Sequence, residues 1–377
     1  MGVLDGIRVI EIAGIGPGPF CGMLLADMGA DVILVERTGG KAGDPTDLGK
    51  NAIVHRGKRS LALDLKDGRA VNAVLRLVEG SHALIEGMRP GVMERLGLGP
   101  EVCLARNPRL VYGRMTGWGQ QGPLAQSAGH DLNYIALSGA LWFSGEPGRP
   151  PITPPTLVGD LGGGALYLAM GLLAGILNVQ RGGAGQVVDA AIVDGSANLM
   201  NLLLSAHAAG QQPFERGRGL LDGPHWCGSY ACADGLFVSV QALEPRFNAL
   251  LFDKLGIGAD PDFQHPYDPR RWGPARERLR MLFATQPREH WVKLLEGSDA
   301  CFAPVLTPAE AMAHPHMAAR GVYAEHDGVL QAAPAPRFSA NPAATHATVP
   351  QRGAQSAEIL RAAGLSETEI AQLLIGA

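Results

Sequence analysis

The first thirty-six residues restrict the fold most. Residues 7–12 (Ile-Arg-Val-Ile-Glu-Ile) alternate as a strand does, residues 14–19 make a Gly/Pro turn, and residues 20–28 read as a helix. Asp31 to Glu36 (Asp-Val-Ile-Leu-Val-Glu) is then an apolar run of strand length. Two strands joined through a helix lie parallel in one sheet, and a strand apolar at nearly every position is buried on both faces. The start of the chain therefore predicts an open α/β sheet covered on both sides.

The pattern continues. Ser60–Leu65, Ala83–Glu86, Leu110–Arg114 and 186–192 read as further strands, and Gly68–Glu79 as a helix. Leu161–Val179 carries no charge and could be mistaken for a membrane span, but it contains Gly162, Gly163, Gly164, Gly171 and Gly175. A buried helix packed through its glycines is the expectation, with no membrane partner. Asp194 is placed to cap a helix running to about Ala209. After a polar segment at 211–227, an Asp234-Gly235 turn between two short strands marks a hairpin. Helices are expected at about 245–255, 274–285 and 287–296, and two more at 356–364 and 366–374, the last opened by a Ser366…Glu369 capping box. Residues 330–350, rich in Pro and Ala, read as extended.

The expected layout is a large Rossmann-like parallel-sheet domain (1–190), a linker helix and loop (191–227), a small α+β domain (228–315) and a return segment (316–377). The 51 glycines and 27 prolines are about a fifth of the 377 residues, below the level of low-complexity disorder. Net charge is −4 with no long run of one sign, which argues against nucleic acid as a partner. Five widely spaced cysteines without a C-x-x-C fit neither a disulfide framework nor a metal site, and suit reduced thiols in a cytoplasmic protein. The start lacks the basic and apolar regions of a signal peptide.

Strand, glycine turn, helix and terminal acid suggest a dinucleotide site, but Gly14, Gly16 and Gly18 are interleaved with Pro17 and Pro19. Proline has no N–H to offer a pyrophosphate. Other residues carry more chemistry. His130 and Asp131 follow a glycine-laden loop, placed either for acid/base work or as a helix start with a carboxylate near its N-terminus. Asp160 precedes Gly162–Gly164, either as a helix cap or as a carboxylate facing a ligand, with three amides free for a developing oxyanion. Arg37, Arg56, Lys58 and Arg59, joined by Arg89 and Arg95, are either a solvated surface or, since the first four follow strand ends, where anions bind in α/β sheets, cations for a phosphorylated ligand. Glu244, before Pro245, is either a cap or a site carboxylate.

The motifs at 6–19, 26–32, 87–100, 113–120, 129–134, 158–164, 185–195 and 334–339, taken in this order, resemble the α-methylacyl-CoA racemases of the family III (CaiB/BaiF-type) CoA-transferase superfamily. The resemblance runs through nearly the whole chain. It implies an interlocked homodimer, with the active site between the large domain of one chain and the small domain of the other. It also implies an acyl-CoA substrate, a 2-methylacyl thioester of lipid metabolism epimerised at C2, with no metal or redox cofactor; CoA comes with the substrate. By position, His130 and Asp160 match the acid/base pair, and Glu244 the carboxylate that supports the histidine from the neighbouring chain. Arg37 matches a position near the CoA adenine, Arg56, Arg89 and Arg95 positions near its phosphates, and Met115 and Tyr134 positions along the pantetheine and thioester.

Transferases of the superfamily use the aspartate matched by Asp160 as a covalent nucleophile and usually lack the histidine, so His130 favours proton transfer. A non-catalytic acyl-CoA-binding protein would not need His130, Asp160 and Glu244 together. Gly223-Pro224-His225-Trp226-Cys227 departs from the tyrosine-containing stretch that related racemases tend to carry. His225 is expected at the surface or, failing that, against the acyl group.

Overall fold

The computed structural model describes residues 2–39, 48–326, 328–341 and 348–374. Along the chain come β1 (Arg8–Ile12), α1 (Pro17–Asp27), β2 (Asp31–Glu36), β3 (Arg59–Ala62), α2 (Gly68–Glu79), β4 (Ala83–Glu86), α3 (Val92–Arg95), α4 (Pro100–Arg106), β5 (Val111–Thr116) and α5 (Asp131–Ser138). A π-helix at Leu157–Ala165 runs directly into α6 (Leu166–Gln180), followed by β6 (Gln186–Ala191), α7 (Ile192–Leu199) and α8 (Asn201–Ala208). Then come β7 (Cys227–Ala231), β8 (Phe237–Gln241), α9 (Pro245–Lys254), α10 (Pro269–Phe283), α11 (Arg288–Leu295) and β9 (Phe302–Val305). α12 (Pro308–Ala313), α13 (Pro315–Ala319), β10 (Tyr323–His326), β11 (Val329–Ala332), α14 (Ser356–Ala362) and α15 (Glu367–Leu374) complete the order.

Two compact units result: Met1–Leu141 with Thr153–Leu199 and Tyr323–Ala377, and Trp142–Ile152 with Met200–Val322. The expected break near 190 lies instead after Leu199, and a short excursion at 142–152 belongs to the second unit. The helix expected up to Ala209 is interrupted at Met200, and Asp194 lies inside α7 rather than capping it. Within the extended reading of 330–350, residues 342–347 lie outside the described residues.

In the first unit six strands form a wholly parallel sheet in the order β3-β2-β1-β4-β5-β6. Its two buried faces follow from the period of two along each strand. Val9 and Val32 pack on one face with Leu25, Leu168 and Leu172. Ile10 and Ile33 pack on the other with Val74, Leu77 and Ile359. Each such fully buried aliphatic side chain contributes about 1.5–3 kcal/mol. α2 supplies Ala70, Ala73, Val74, Leu77 and Val78 at helical spacing and is capped by Asp67, whose carboxylate accepts the Arg69 N–H. α6 approaches the other face closely: a Cβ at Gly171 would stand 2.6 Å from Val188, and one at Gly175 2.7 Å from Val111. Leu157–Gln180 is long and apolar enough to cross a membrane by length and composition, and half of its apolar eighteen-residue window is buried inside the protein. The outer edge of β3 is covered by the return segment: Ser60 N–H donates to Gln355 Oε1 at 2.9 Å and Ala62 N–H to Ser356 Oγ at 3.0 Å. The Ser366…Glu369 box opens α15 as expected.

In the second unit β7, β8 and β9 form an antiparallel sheet, with Gly235 in the left-handed region (φ 76°) at the hairpin turn. Phe252, Phe283, Trp226 and Trp291 fill its core.

Candidate active site

In a parallel sheet of this order, the crevice opens at the carboxyl ends of the strands where the winding reverses, between β1 and β4. The turn after β1 lies there. α1 begins at Pro17, three residues earlier than expected, because a proline at a helix start has no needed N–H to lose. Gly16 caps it at φ 69° and faces the π-helix: a Cβ there would stand 3.5 Å from Asp160 Oδ2.

Asp160 is half-buried inside the π-helix rather than at the entry to an α-helix. The amide of Leu161 already bonds back to the Thr156 carbonyl at 3.0 Å, so those of Gly162–Gly164 lie within the hydrogen-bonded ladder, not at a free helix start. Their small size serves packing. A Cβ at Gly163 would stand 2.4 Å from Ser196 Oγ, and one at Gly164 3.0 Å from Ile192. The oxyanion role expected of these glycines is corrected accordingly.

The free amides are those further toward the N-terminus, and Asp131 takes two of them. Its buried Oδ1 accepts from Gly159 N–H at 2.9 Å and from Asp160 N–H at 2.8 Å. The Asp160 carboxyl is pushed up to about 6, first by burial and then by the Asp131 charge, while His130 acts in the opposite direction. His130 is exposed at the N-cap of α5, its backbone N–H donating to Asn133 Oδ1 at 3.0 Å. His130 and Asp160 are thus brought within electrostatic reach in one unit.

The other expected site residues divide. Tyr134 donates its hydroxyl to the Gly129 carbonyl and sets its ring edge-on to Trp118 at 4.7 Å, bracing the loop ahead of His130. Met115 is buried at the end of β5, its terminal methyl 3.3 Å from where a Cβ of Gly164 would stand. Arg37 follows β2 and, with Ala13, Gly14, Lys50 and His55, lines a cavity of about 600 Å3. A smaller cavity of about 210 Å3 near His82 and Arg109 lies at the opposite, amino ends of the strands and is set aside on that ground. Arg89 and Arg95 are exposed, and no ion pair to Arg37, Arg89 or Arg95 occurs among the described residues.

Arg56, Lys58 and Arg59 correct the expectation of ligand cations, because their charges are met within the fold. Arg56 forms a two-bond pair with Asp27 (2.6 and 2.9 Å) and also donates to the Ala332 carbonyl at 2.8 Å. Lys58 is buried on Glu11 (2.6 and 2.8 Å) and the Pro19 carbonyl (2.9 Å). Arg59 pairs with Asp31 at 2.7 Å. Glu244 stands exposed at the N-cap of α9 in the second unit, and its side chain makes no capping bond. His225 is another correction. It is fully buried, stacked on Phe252 at 5.4 Å and edge-on to Phe263.

The π-helix had no period in the sequence to reveal it. Asp131 had a signal, a carboxylate beside a histidine at a helix start, but its bond partners are 28 and 29 residues away. Among the described residues, no group of three or more His, Cys, Asp and Glu side chains is placed to hold a metal ion.

The model of CoA-transferase family III matches residues 4–356, and the chain belongs to that family. It is 40% identical to the alpha-methylacyl-CoA racemases of Mus musculus and Homo sapiens, over 98% of this chain and 96% of each relative. The crystal structure of a CAIB/BAIF family protein from Brucella suis matches with a TM-score of 0.81 at 28% identity, covering 96% of this chain and 99% of that one.

Proposed function

We propose that this chain epimerises 2-methylacyl-CoA thioesters at C2 by 1,1-proton transfer through an enolate, with His130 and Asp160 as the two proton carriers. The observation that supports it most is the Asp160 carboxyl, half-buried, pushed up to about 6 and within reach of His130. At pH 7 such a carboxyl is protonated about one time in ten, against about one in a thousand for an ordinary aspartate. Inversion needs a group that is a base in one direction and an acid in the other, and a carrier poised near neutrality serves both. The 40% identity to two racemases supports the same chemistry.

One carrier removes the weakly acidic proton beside the thioester carbonyl, and the other returns a proton to the opposite face. The first amides of α5, at Asp131 and Leu132, have no intrahelical acceptor and directly follow His130, so they are the donors proposed for the enolate oxygen. Arg37, Arg89 and Arg95 carry the CoA end. The active form is a homodimer in which Glu244 of a second copy supports His130. No metal or redox group takes part in this scheme.

The test is NMR of a 2-methylacyl-CoA panel in deuterated buffer. Racemisation with deuterium entering at C2, abolished by either His130→Ala or Asp160→Asn, is the expected result. CoA passing to an added carboxylate through an isolable Asp160 adduct would instead make the chain a transferase. Binding without either reaction would reduce it to an acyl-CoA carrier.

A further inference from the structure

We infer that Asp131 is a positioning residue for Asp160: its side chain fixes the turn that carries the Asp160 carboxyl and holds a negative charge beside it. The inference rests on the proposed role of Asp160 as a proton carrier.

Four observations carry it. Asp131 Oδ1 accepts both the Gly159 and the Asp160 amides, at 2.9 and 2.8 Å, so the Asp160 backbone itself is tethered. Gly159 is what lets the carboxylate come so near, since a Cβ there would stand 2.5 Å from Oδ1 and 2.8 Å from Ile135. The turn also needs a tether: it is entered through Thr156 at φ 62°, a left-handed conformation that a β-branched residue rarely adopts. The nine-residue π-helix that follows is a form found mostly as single-turn insertions near functional sites.

The charge has a separate effect. Asp131 is buried and, among the described residues, no cation forms an ion pair with it; the two amides meet it instead. Its field therefore reaches Asp160 with little opposition and, together with burial, raises that carboxyl. The titratable groups facing Asp160 are His130 and Asp131, with Tyr134 behind them, all from α5 or its cap. The turn before α1 presents Gly16 there, while α7 meets the neighbouring glycines through Ile192 and Ser196 and β5 through Met115, none of them charged.

The two effects separate by substitution. In Asp131→Asn the amide oxygen still accepts both bonds but the charge is gone. In Asp131→Ala both are gone. The measurement is the titration of the Asp160 carboxyl by 13C NMR of Asp-labelled protein, assigned by difference against Asp160→Asn, together with the pH profile of C2 deuterium exchange. For Asp131→Asn the Asp160 midpoint should fall by about one pH unit, and so should the alkaline limb of the profile in the direction in which Asp160 delivers the proton. Turnover at pH 7 should drop about tenfold with KM and melting temperature unchanged, a combination that a merely structural role would not produce. Asp131→Ser, a smaller neutral acceptor, should show the same downward midpoint. Asp131→Ala should lose at least a further tenfold, because the turn is no longer held. An Asp160 midpoint unmoved in both Asp131→Asn and Asp131→Ser would overturn the inference. Absence of C2 exchange in the unsubstituted protein would sink the racemase reading alone, since the titration still reports on Asp131.

Discussion

In the first unit the buried cations have acid partners, Lys58 on Glu11, Arg56 on Asp27 and Arg114 on Glu86, while buried Asp131 is met by two backbone amides. In the second, His225 lies among Phe252, Phe263 and Trp226 with neither ring nitrogen hydrogen-bonded. Burial raises Glu11 and lowers Lys58, and each partner pulls the other back toward its charged form. No acid does this for His225; burial and then Arg276 push it down to about 4, so it stays neutral. The first unit thus uses buried charge to tie segments together next to its site: Lys58 joins β1 to the first turn of α1, and Arg56 joins the end of α1 to β11. The second unit tolerates a polar ring as though it were an aromatic one. Pairing makes a buried group sensitive to loss of its partner, whereas isolation makes it sensitive to pH.

The largest effect expected from that contrast is at Lys58. Lys58→Met leaves Glu11 buried without its cation, and breaking such a pair costs about 3–5 kcal/mol. Urea unfolding of the first unit should show that loss, and Glu11→Leu added to Lys58→Met should restore most of it. Equal destabilisation in the double variant would mean that the pair is not the unit of stability.

The next effect is a pH slope confined to the second unit. The folded His225 value of about 4 lies below the free value of about 6.5. Below 6.5 the unfolded chain takes up a proton that the folded chain refuses, so stability is full above that pH and falls as pH drops toward 4. The loss reaches about 3 kcal/mol, and His225→Leu should remove it. Asp160 has the opposite sign: its folded value of about 6 is above the free one, so lowering the pH from 6 toward 4 favours the folded first unit. Hydrogen exchange read separately on β1 and β8, with Asp160→Asn and His225→Leu as references, should show the two contributions running in opposite directions. A shared slope would erase the distinction between the units.

The same contrast explains what could be read from the sequence. β2, α2 and β4 begin and end where expected, because a short apolar run and helical spacing are local facts. The residues proposed as proton carriers are legible as types, His130 and Asp160 each standing near glycines in the sequence. What escaped depends on distant partners. Arg56 looked like Arg37 until Asp27 took it, 29 residues away. His225 looked like a surface residue because nothing local says that Phe252 and Phe263 close over it. The π-helix arises where Asp131 tethers its amides and α7 packs on Gly163, neither of which has a period along the chain.

The smallest effect tests a cation outside the paired set. Arg37 stands at the end of β2 on the cavity of about 600 Å3, and among the described residues no acid pairs with it. If the paired cations hold the fold and Arg37 holds the ligand, Arg37→Ala should raise KM for an acyl-CoA about tenfold, the loss of about 1.4 kcal/mol from one charge-assisted contact to a phosphate or adenine. kcat and melting temperature should stay as they were, and the dependence of KM on salt should flatten, because a screened contact is gone. Arg59→Ala is the control. It removes a pair with Asp31 that is only partly exposed, so it should lower the melting temperature slightly and leave KM unchanged. The reverse pattern, with KM moving in Arg59→Ala and not in Arg37→Ala, would place the CoA end on the far side of β3 and undo the division between structural and ligand-facing cations.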